Sequence, residues 1–466
     1  VRLNQMSARS EKQEVDVDID VVVVGAGGGG LAAALAVADS GRSVIVLEKL
    51  DRPGGNSALS TGSIPAAGSR LQIEAGIVDS PARMATDLIV QSGPHEAEDL
   101  THRLAQTSAE LVDWLVDCHG VRLALITDYK HVGHSVNRLH APPSRRGIDL
   151  TDDLMRACKQ AKIDVLTSNP VVDLLVERDT VVGVVVEGDR VERYEIRANV
   201  VILAANGFAA NADLMRKWLP EIESIEYFGA HGSTGEALEW GIEIGGYLAN
   251  QHAYQGYAAV AYPHGSILSW TTVEKGAILV DQTGRRMGNE TIGYSGFVAD
   301  LLTGTPPFFV VYDSRIREIA MKEEEFADLV QMGGAREYGD LVQLCDYFSI
   351  EHQELARTIN HYNEAARQGS PDLFGRTDFA MAPLEAPFVA SRVTPGVFHT
   401  QGGLAVDLDG RVITRETDPV PGLYAVGGVA MGISGLQGGR GYSSGNGLLS
   451  ALGLGRLAGL AASQES

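Results

Sequence analysis

One short stretch, Asp20-Val-Val-Val-Val24-Gly25-Ala-Gly27-Gly28-Gly29-Gly30, constrains the fold more than any other. Its unbroken apolar run reads as a strand buried on both faces of a parallel sheet. The glycines follow at once. An alanine-rich run from Leu31 to Ser40 comes next and stops at Gly41, and a second apolar run, Ser43 to Leu47, ends at Glu48. This is GxGxxG in its strand-turn-helix-strand setting, and it predicts a dinucleotide-binding βαβ unit. Gly25 permits the tight turn, Gly27 lets the backbone approach a pyrophosphate, and Gly30 lets the helix pack on the strand. The phosphates would rest on the helix N-terminus. Glu48 stands near the position that bonds a ribose hydroxyl.

Composition excludes several functions. The chain has 466 residues, 44% of them hydrophobic, and a formal net charge of −22. It is long enough for two or three globular domains. Its acidity argues against nucleic acid or an anionic membrane as partner. Cys118, Cys158 and Cys345 lie far apart, so neither a disulfide framework nor a metal site is expected. Residues 1–18 are polar and lack an apolar core segment, so no signal peptide is expected. No run approaches the roughly 18 apolar residues of a membrane span. The cytoplasm is the expected compartment.

Further motifs follow in order: Lys49-Leu-Asp-Arg52-Pro-Gly54-Gly55-Asn56-Ser57, Asn169-Pro-Val-Val172, Val200-Ile-Leu-Ala-Ala205-Asn206-Gly207-Phe208, and Pro421-Gly-Leu-Tyr424-Ala-Val-Gly427-Gly428. In order and spacing they resemble the fumarate reductase and succinate dehydrogenase flavoproteins over nearly the whole chain. The resemblance implies FAD. It puts Lys49, Gly55, Asn56 and Ser57 on the path from adenosine to flavin, Val172 at the adenine, and Ala205 and Gly207 in a conserved-type turn of that family. Gly427 would pass under the isoalloxazine, and Asn446 would belong to the same site. Covalent members carry a histidine after the Gly-Gly turn. Ser57 to Thr61 has none, so FAD is expected to be held non-covalently. The implied fold is α/β, a Rossmann-type FAD-binding domain with an inserted α+β capping domain. Residues 1–251 and 399–466 would form the first and 252–398 the second, with the substrate between them.

The catalytic groups depart from the fumarate reductases. His134-Ser-Val-Asn-Arg138-Leu-His140, Gly276 to Glu290 and Val393 to Gly403 resemble segments of the soluble enzymes. However, the proton-donating arginine falls on Tyr294, a substrate histidine on Tyr257, and a second arginine on Tyr442. His399 is retained. Gly428 stands where dicarboxylate reductases usually have glutamate, and the proton relay falls on Trp270 to Glu274, which does not match. Asn289-Glu290-Thr-Ile-Gly-Tyr294 and Gly441-Tyr442-Ser-Ser444-Gly445-Asn446 resemble instead the 3-ketosteroid dehydrogenases. The Δ4-(5α) branch is closest, given Gly455-Arg456-Leu-Ala-Gly459 downstream. A neutral phenol holds a dicarboxylate poorly beside a charged guanidinium fork. The resemblance therefore implies desaturation of a cyclic ketone. Tyr442 and a helix-terminal amide near Gly445 or Asn446 would polarise the carbonyl, and Tyr294 would take the α-proton. Ser444 would relay or anchor, His399 would support either tyrosine, and Tyr257 would line the pocket or act on substrate. The alternative is a reductase of an activated alkene of the fumarate or urocanate type. The electron acceptor (oxygen, a quinone or a carrier) stays open. Arg440 is either a solvated charge or a clamp for a substrate carboxylate, and Arg145 and Arg146 are expected in solvent.

Overall fold

The apolar run forms the strand Ile19–Val24, in which Val21, Val22 and Val23 have no exposed surface. The computed structural model describes residues 19–128, 130–188 and 193–465. The expectation about residues 1–18 lies outside them. Val44–Leu47 pairs in parallel on one side of this strand and Tyr194–Leu203 on the other. Asp164–Leu166 extends the sheet past the first and Pro419–Ala425 past the second, again in parallel. Arg411–Ile413 closes one edge antiparallel. The hairpin Val171–Glu177 and Thr180–Val186 joins antiparallel on Tyr194–Leu203. A sheet that takes its central strand from residue 19 and another from residue 419 needs both ends of the chain, so the middle is an insertion.

The helix Gly28–Asp39 is buried over most of its length, and the final helix Leu454–Glu465 lies against it. The contact is a close one. A side chain at Gly455 would press into the Gly29 carbonyl, and one at Gly459 would lie 2.8 Å from the Ala36 methyl. This is the physical content of the Gly455-Arg-Leu-Ala-Gly459 motif.

The inserted residues build a second sheet around the strand Phe388–Thr400. It pairs antiparallel with Tyr254–Ala261, Phe308–Asp313 and Arg336–Tyr338, and Ile278–Val280 pairs on Phe308–Asp313. The helix His352–Gln368 belongs to the same inserted part. One feature differs from the expected division. Phe388–Thr400 runs through residue 398, and Glu226–Tyr227, which precedes residue 252, pairs onto it in parallel. A 13-residue strand is long enough to serve the cap at one end and the flavin domain at the other.

A buried ionic cluster stiffens the cap beneath the site. Arg286 pairs with Glu290 and Asp372, and Arg376 pairs with Glu290 at 3.1 Å. Arg376 also donates to the carbonyls of Val273 and Ala277. Burial would raise the Glu290 carboxyl, but the two guanidinium groups hold it below its ordinary pKa. Buried charges persist when paired in this way. The cluster locks the turn Glu290–Ile292 from which Tyr294 projects, together with the floor at Val273.

Candidate active site

Between the sheet and the cap lies a cavity of about 1440 Å³. Pockets for single drug-sized ligands run to about 1,000 Å³, so this one has room for a dinucleotide and a second molecule. At its nucleotide end stand Gly25, Gly27, Glu48, Lys49, Gly55, Asn56, Ser57, Ala205 and Gly427. The three motif glycines are required for different reasons. Gly25 has φ +108°, and a Cβ there would lie 2.5 Å from the Ala204 carbonyl oxygen. A Cβ on Gly30 would strike the Gly25 carbonyl. A Cβ on Gly27 would meet nothing nearer than the Gly54 carbonyl at 3.9 Å, so it would project into the cavity. The helix starting at Gly28 has no side-chain cap, which leaves N-terminal amides for an anion. This cradle fits the pyrophosphate of FAD. Gly30→Val should therefore yield flavin-free protein, because the turn and the helix could no longer approach. The flavin absorbance of the purified variant checks this, and full flavin content would refute the assigned turn.

The flanking side chains are mostly held by the protein itself. Glu48 accepts the Ala26 amide at 2.8 Å and the Leu50 amide at 3.0 Å, and its remaining lone pairs are available to a hydroxyl. Lys49 reaches Thr234 at 2.6 Å and Glu236 at 3.0 Å. Asn56 donates to the Phe398 carbonyl at 3.0 Å and accepts the Ala230 amide at 2.6 Å. Ser57 accepts the Gly28 amide at 3.1 Å. Three residues expected at the cofactor are displaced from the cavity wall. In the strand Val171–Glu177 it is Val171, not Val172, that lines the cavity, because neighbouring side chains in a strand face opposite ways. Gly207 packs against Thr400 and the Gly428 carbonyl. Asn446 is fully buried behind the wall, its amide 3.4 Å from Ser434. Gly428 has no room for the glutamate of dicarboxylate reductases: a Cβ there would strike the Asn206 side chain and lie 2.9 Å from the Gly207 amide.

At the other end the structure gathers the expected tyrosines. Tyr294 and Ser444 place their hydroxyls 3.2 Å apart. Tyr442 sits with its ring 6.2 Å from that of Tyr294, and Tyr257 stacks on Tyr294 at 5.0 Å. Tyr257 donates its hydroxyl to the Leu268 carbonyl at 2.9 Å. Trp270, absent from the expected set, meets both Tyr257 and Tyr294 edge-on. Burial holds the Tyr442 phenol above the ordinary tyrosine value, only partly offset by the Gly447 amide that bonds its oxygen. The amide next to Tyr442 is thus that of Gly447, one residue past Asn446 and two past Gly445. The Asn446 amide is already taken by the Ser443 carbonyl. With the Gly447 N–H donating to the phenol oxygen, the phenol proton is left to donate into the cavity.

His399 donates from Nδ1 to the Thr400 carbonyl. Burial lowers its pKa, partly offset by that bond, so the ring is held neutral with Nε2 toward Gly447. His134 does what the motif around it did not reveal. Its Nε2 donates to the Ser444 carbonyl at 2.8 Å, and the Ser444 amide donates to the Val132 carbonyl at 3.0 Å. Burial lowers the His134 pKa to about 4, which keeps this histidine neutral. Behind it Arg138, fully buried, pairs with Asp79 and Asp87, each at 2.9 Å. The segment 132–138 is therefore the clamp that fixes Ser444. Arg440 pairs with Asp300 of the cap at 2.7 Å and does not line the cavity. Arg146 is exposed, as expected, and Arg145 is half-buried, and both also line the cavity from the loop packed on Ser60. Among the described residues no group of His, Cys, Asp or Glu is arranged to hold a metal ion, and no helix is long and apolar enough to cross a membrane.

A dinucleotide cradle that opens onto buried phenols under an inserted cap defines an FAD-dependent oxidoreductase. The chain belongs to the FAD binding domain family, whose model matches residues 20–445. It is 30% identical over 436 residues to a fumarate reductase (cytochrome) of Shewanella frigidimarina, covering 92% of this chain and 74% of that one. It is likewise 30% identical to the NADH:fumarate oxidoreductase of Klebsiella pneumoniae, covering 85% of this chain but only 43% of that longer protein. The fold matches the open conformation of a flavocytochrome c3 fumarate reductase at 27% identity with a TM-score of 0.81, over 98% of this chain and 79% of that one. It also matches the 3-ketosteroid-Δ4-(5α)-dehydrogenase of Rhodococcus jostii RHA1 in complex with 4-androstene-3,17-dione. There the TM-score is 0.78 over 97% of this chain and 98% of that one, and at 24% identity the likeness is one of fold. The chain is thus a flavin oxidoreductase of activated carbon–carbon bonds.

Proposed function

We propose that the protein desaturates a cyclic ketone between its α and β carbons. The observation that carries this reading is the pair Tyr294–Ser444, with hydroxyls 3.2 Å apart, facing Tyr442 across the cavity. Tyr442 donates its proton to the substrate carbonyl, and the Gly447 amide behind it strengthens that donation. Tyr294 takes the α-proton as its own phenol proton passes to the Ser444 hydroxyl, which hands its proton on in turn, and His134 holds the Ser444 backbone in place. Tyr257 and Trp270 form the wall that orients the Tyr294 ring. FAD, when bound, supplies a hydride acceptor for the β-carbon. Residues 1–251 and 399–466 would hold it and 252–398 would cover it. A dicarboxylate fits less well. The two arginines that reach the cavity come from the loop beside Ser60, and the positions around Tyr294 and Tyr442 offer neutral donors.

The second reading, reduction of a fumarate- or urocanate-type alkene, is favoured by the names of relatives 30% identical to this chain, a urocanate reductase of Eggerthella lenta among them. The two readings run the same hydride in opposite directions. Under anaerobic conditions, saturated cyclic ketones should bleach the oxidised flavin. No bleaching across a panel of ketones, with rapid reoxidation of the reduced enzyme by fumarate, would establish the second reading instead.

FAD is proposed to be bound without a covalent link. No histidine lies in Ser57 to Thr61, and His399 already engages the Thr400 carbonyl through Nδ1. Mild denaturation should release all the flavin into the supernatant. Flavin retained on the precipitated protein would overturn this.

A further inference from the structure

Past Tyr257 and Trp270 the cavity continues into the cap and changes character. Trp270 precedes the short helix Thr271–Glu274, and the Glu274 amide bonds back to the Trp270 carbonyl at 3.0 Å. Glu274 therefore follows Trp270 on the same helical face, with about 5–6 Å between Cβ atoms. It lines the cavity, yet its Oε2 is shut off from solvent and has no hydrogen-bond partner. A buried polar atom left in this state asks for an explanation. Glu323 and Glu325 face the same end, accepting the Thr271 hydroxyl at 2.7 Å and the Ile267 amide at 3.2 Å. Against them stand Lys275 and Lys322. Among the described residues no group of His, Cys, Asp or Glu is arranged for a metal ion, and the unpartnered Oε2 is an acceptor that a hydrogen-bond donor on a bound molecule can meet.

We propose that this inner end is a subsite for a protonated amine carried by the substrate on the side remote from its carbonyl, with Glu274 as the direct partner and Glu323 beside it. The proposal rests on the ketone reading for the reacting end and adds the class of group at the other. Burial raises the Glu274 carboxyl to about 8. Lys275 opposes the rise, and Glu323 and Asp378 add to it. An arriving ammonium supplies both the missing hydrogen bond and the compensating charge, so it ionises Glu274 and expels its proton.

The test uses the FAD-loaded protein and three cyclohexanones with an arm opposite the carbonyl, ending in an amine, a methyl or a carboxylate. Perturbation of the oxidised flavin spectrum reads binding whether or not turnover follows. The amine should bind at least about tenfold more tightly than the methyl compound, as a charge-assisted hydrogen bond implies. Glu274→Gln, equal in size and uncharged, should erase that preference. Should the variant lose its flavin, calorimetry of the wild type in two buffers of different ionisation enthalpy still decides, because amine binding should release a proton. Equal affinities, an amine preference that survives Glu274→Gln, absence of proton release, or a preference for the carboxylate would each overturn the subsite. Failure of the ketone reading looks different: the amine preference would persist while no ketone bleached the flavin.

Discussion

Tyr294→Phe is expected to slow reduction of the flavin by a saturated cyclic ketone about 10²–10⁴-fold, the range for loss of a positioned general base. The substitution keeps the ring, and with it the stack on Tyr257 and the edge contact with Trp270. It deletes only the hydroxyl that meets Ser444 at 3.2 Å. Substrate affinity should change little, since that hydroxyl matters mainly while the proton moves. Stopped-flow bleaching gives both quantities. Near-normal bleaching would exclude Tyr294 as base and direct attention to His399, whose Nε2 faces the same space near Gly447. Tyr294→Arg separates the two readings further. A permanently charged guanidinium cannot accept a proton, so a desaturase would lose activity. A fumarate-type reductase would gain alkene reduction, measured with dithionite as donor.

Tyr442→Phe should lower turnover by about 10²–10³, the usual cost of one oxyanion donor, and leave flavin content intact. Tyr442 is buried, and its hydroxyl oxygen is engaged by the Gly447 amide. Removing it leaves that amide facing the substrate oxygen alone. Burial keeps the phenol protonated well beyond neutral pH, so the donor should persist through mildly alkaline conditions. A loss below tenfold would mean that the carbonyl is polarised by another group.

The nucleotide half of this protein was legible because its determinants are local. A turn in which Gly25 and Gly30 each meet a separate steric limit and Gly27 opens onto the cavity is written within six residues, and the flanking apolar runs state their own secondary structure. Tyr294, Tyr442 and Ser444 could be singled out only because the motifs around them resemble a known pattern. Trp270 and Glu274 match no relay of charged groups, so that pattern does not mark them. The available signal was an aromatic residue with an acid four positions on, at the start of a short helix. The strand at Val171 and Val172 shows how fine the limit is, since a shift of one residue turns the side chain from the cavity to the other face.

By itself, the sequence determined the dinucleotide turn, the need for both chain ends in one sheet, and the absence of a histidine where a covalent flavin link is usual. Only the tertiary structure decided what each site residue is free to do. Tyr294 and Ser444 lie 150 positions apart, and Ser444 and His134 lie 310 apart. Their meeting depends on two buried ionic assemblies, Arg286–Glu290–Arg376 in the cap and Asp79–Arg138–Asp87 in the part that carries the dinucleotide turn. Such charges hold a geometry only when desolvated and paired with partners distant in the chain, and local pattern carries no record of that pairing.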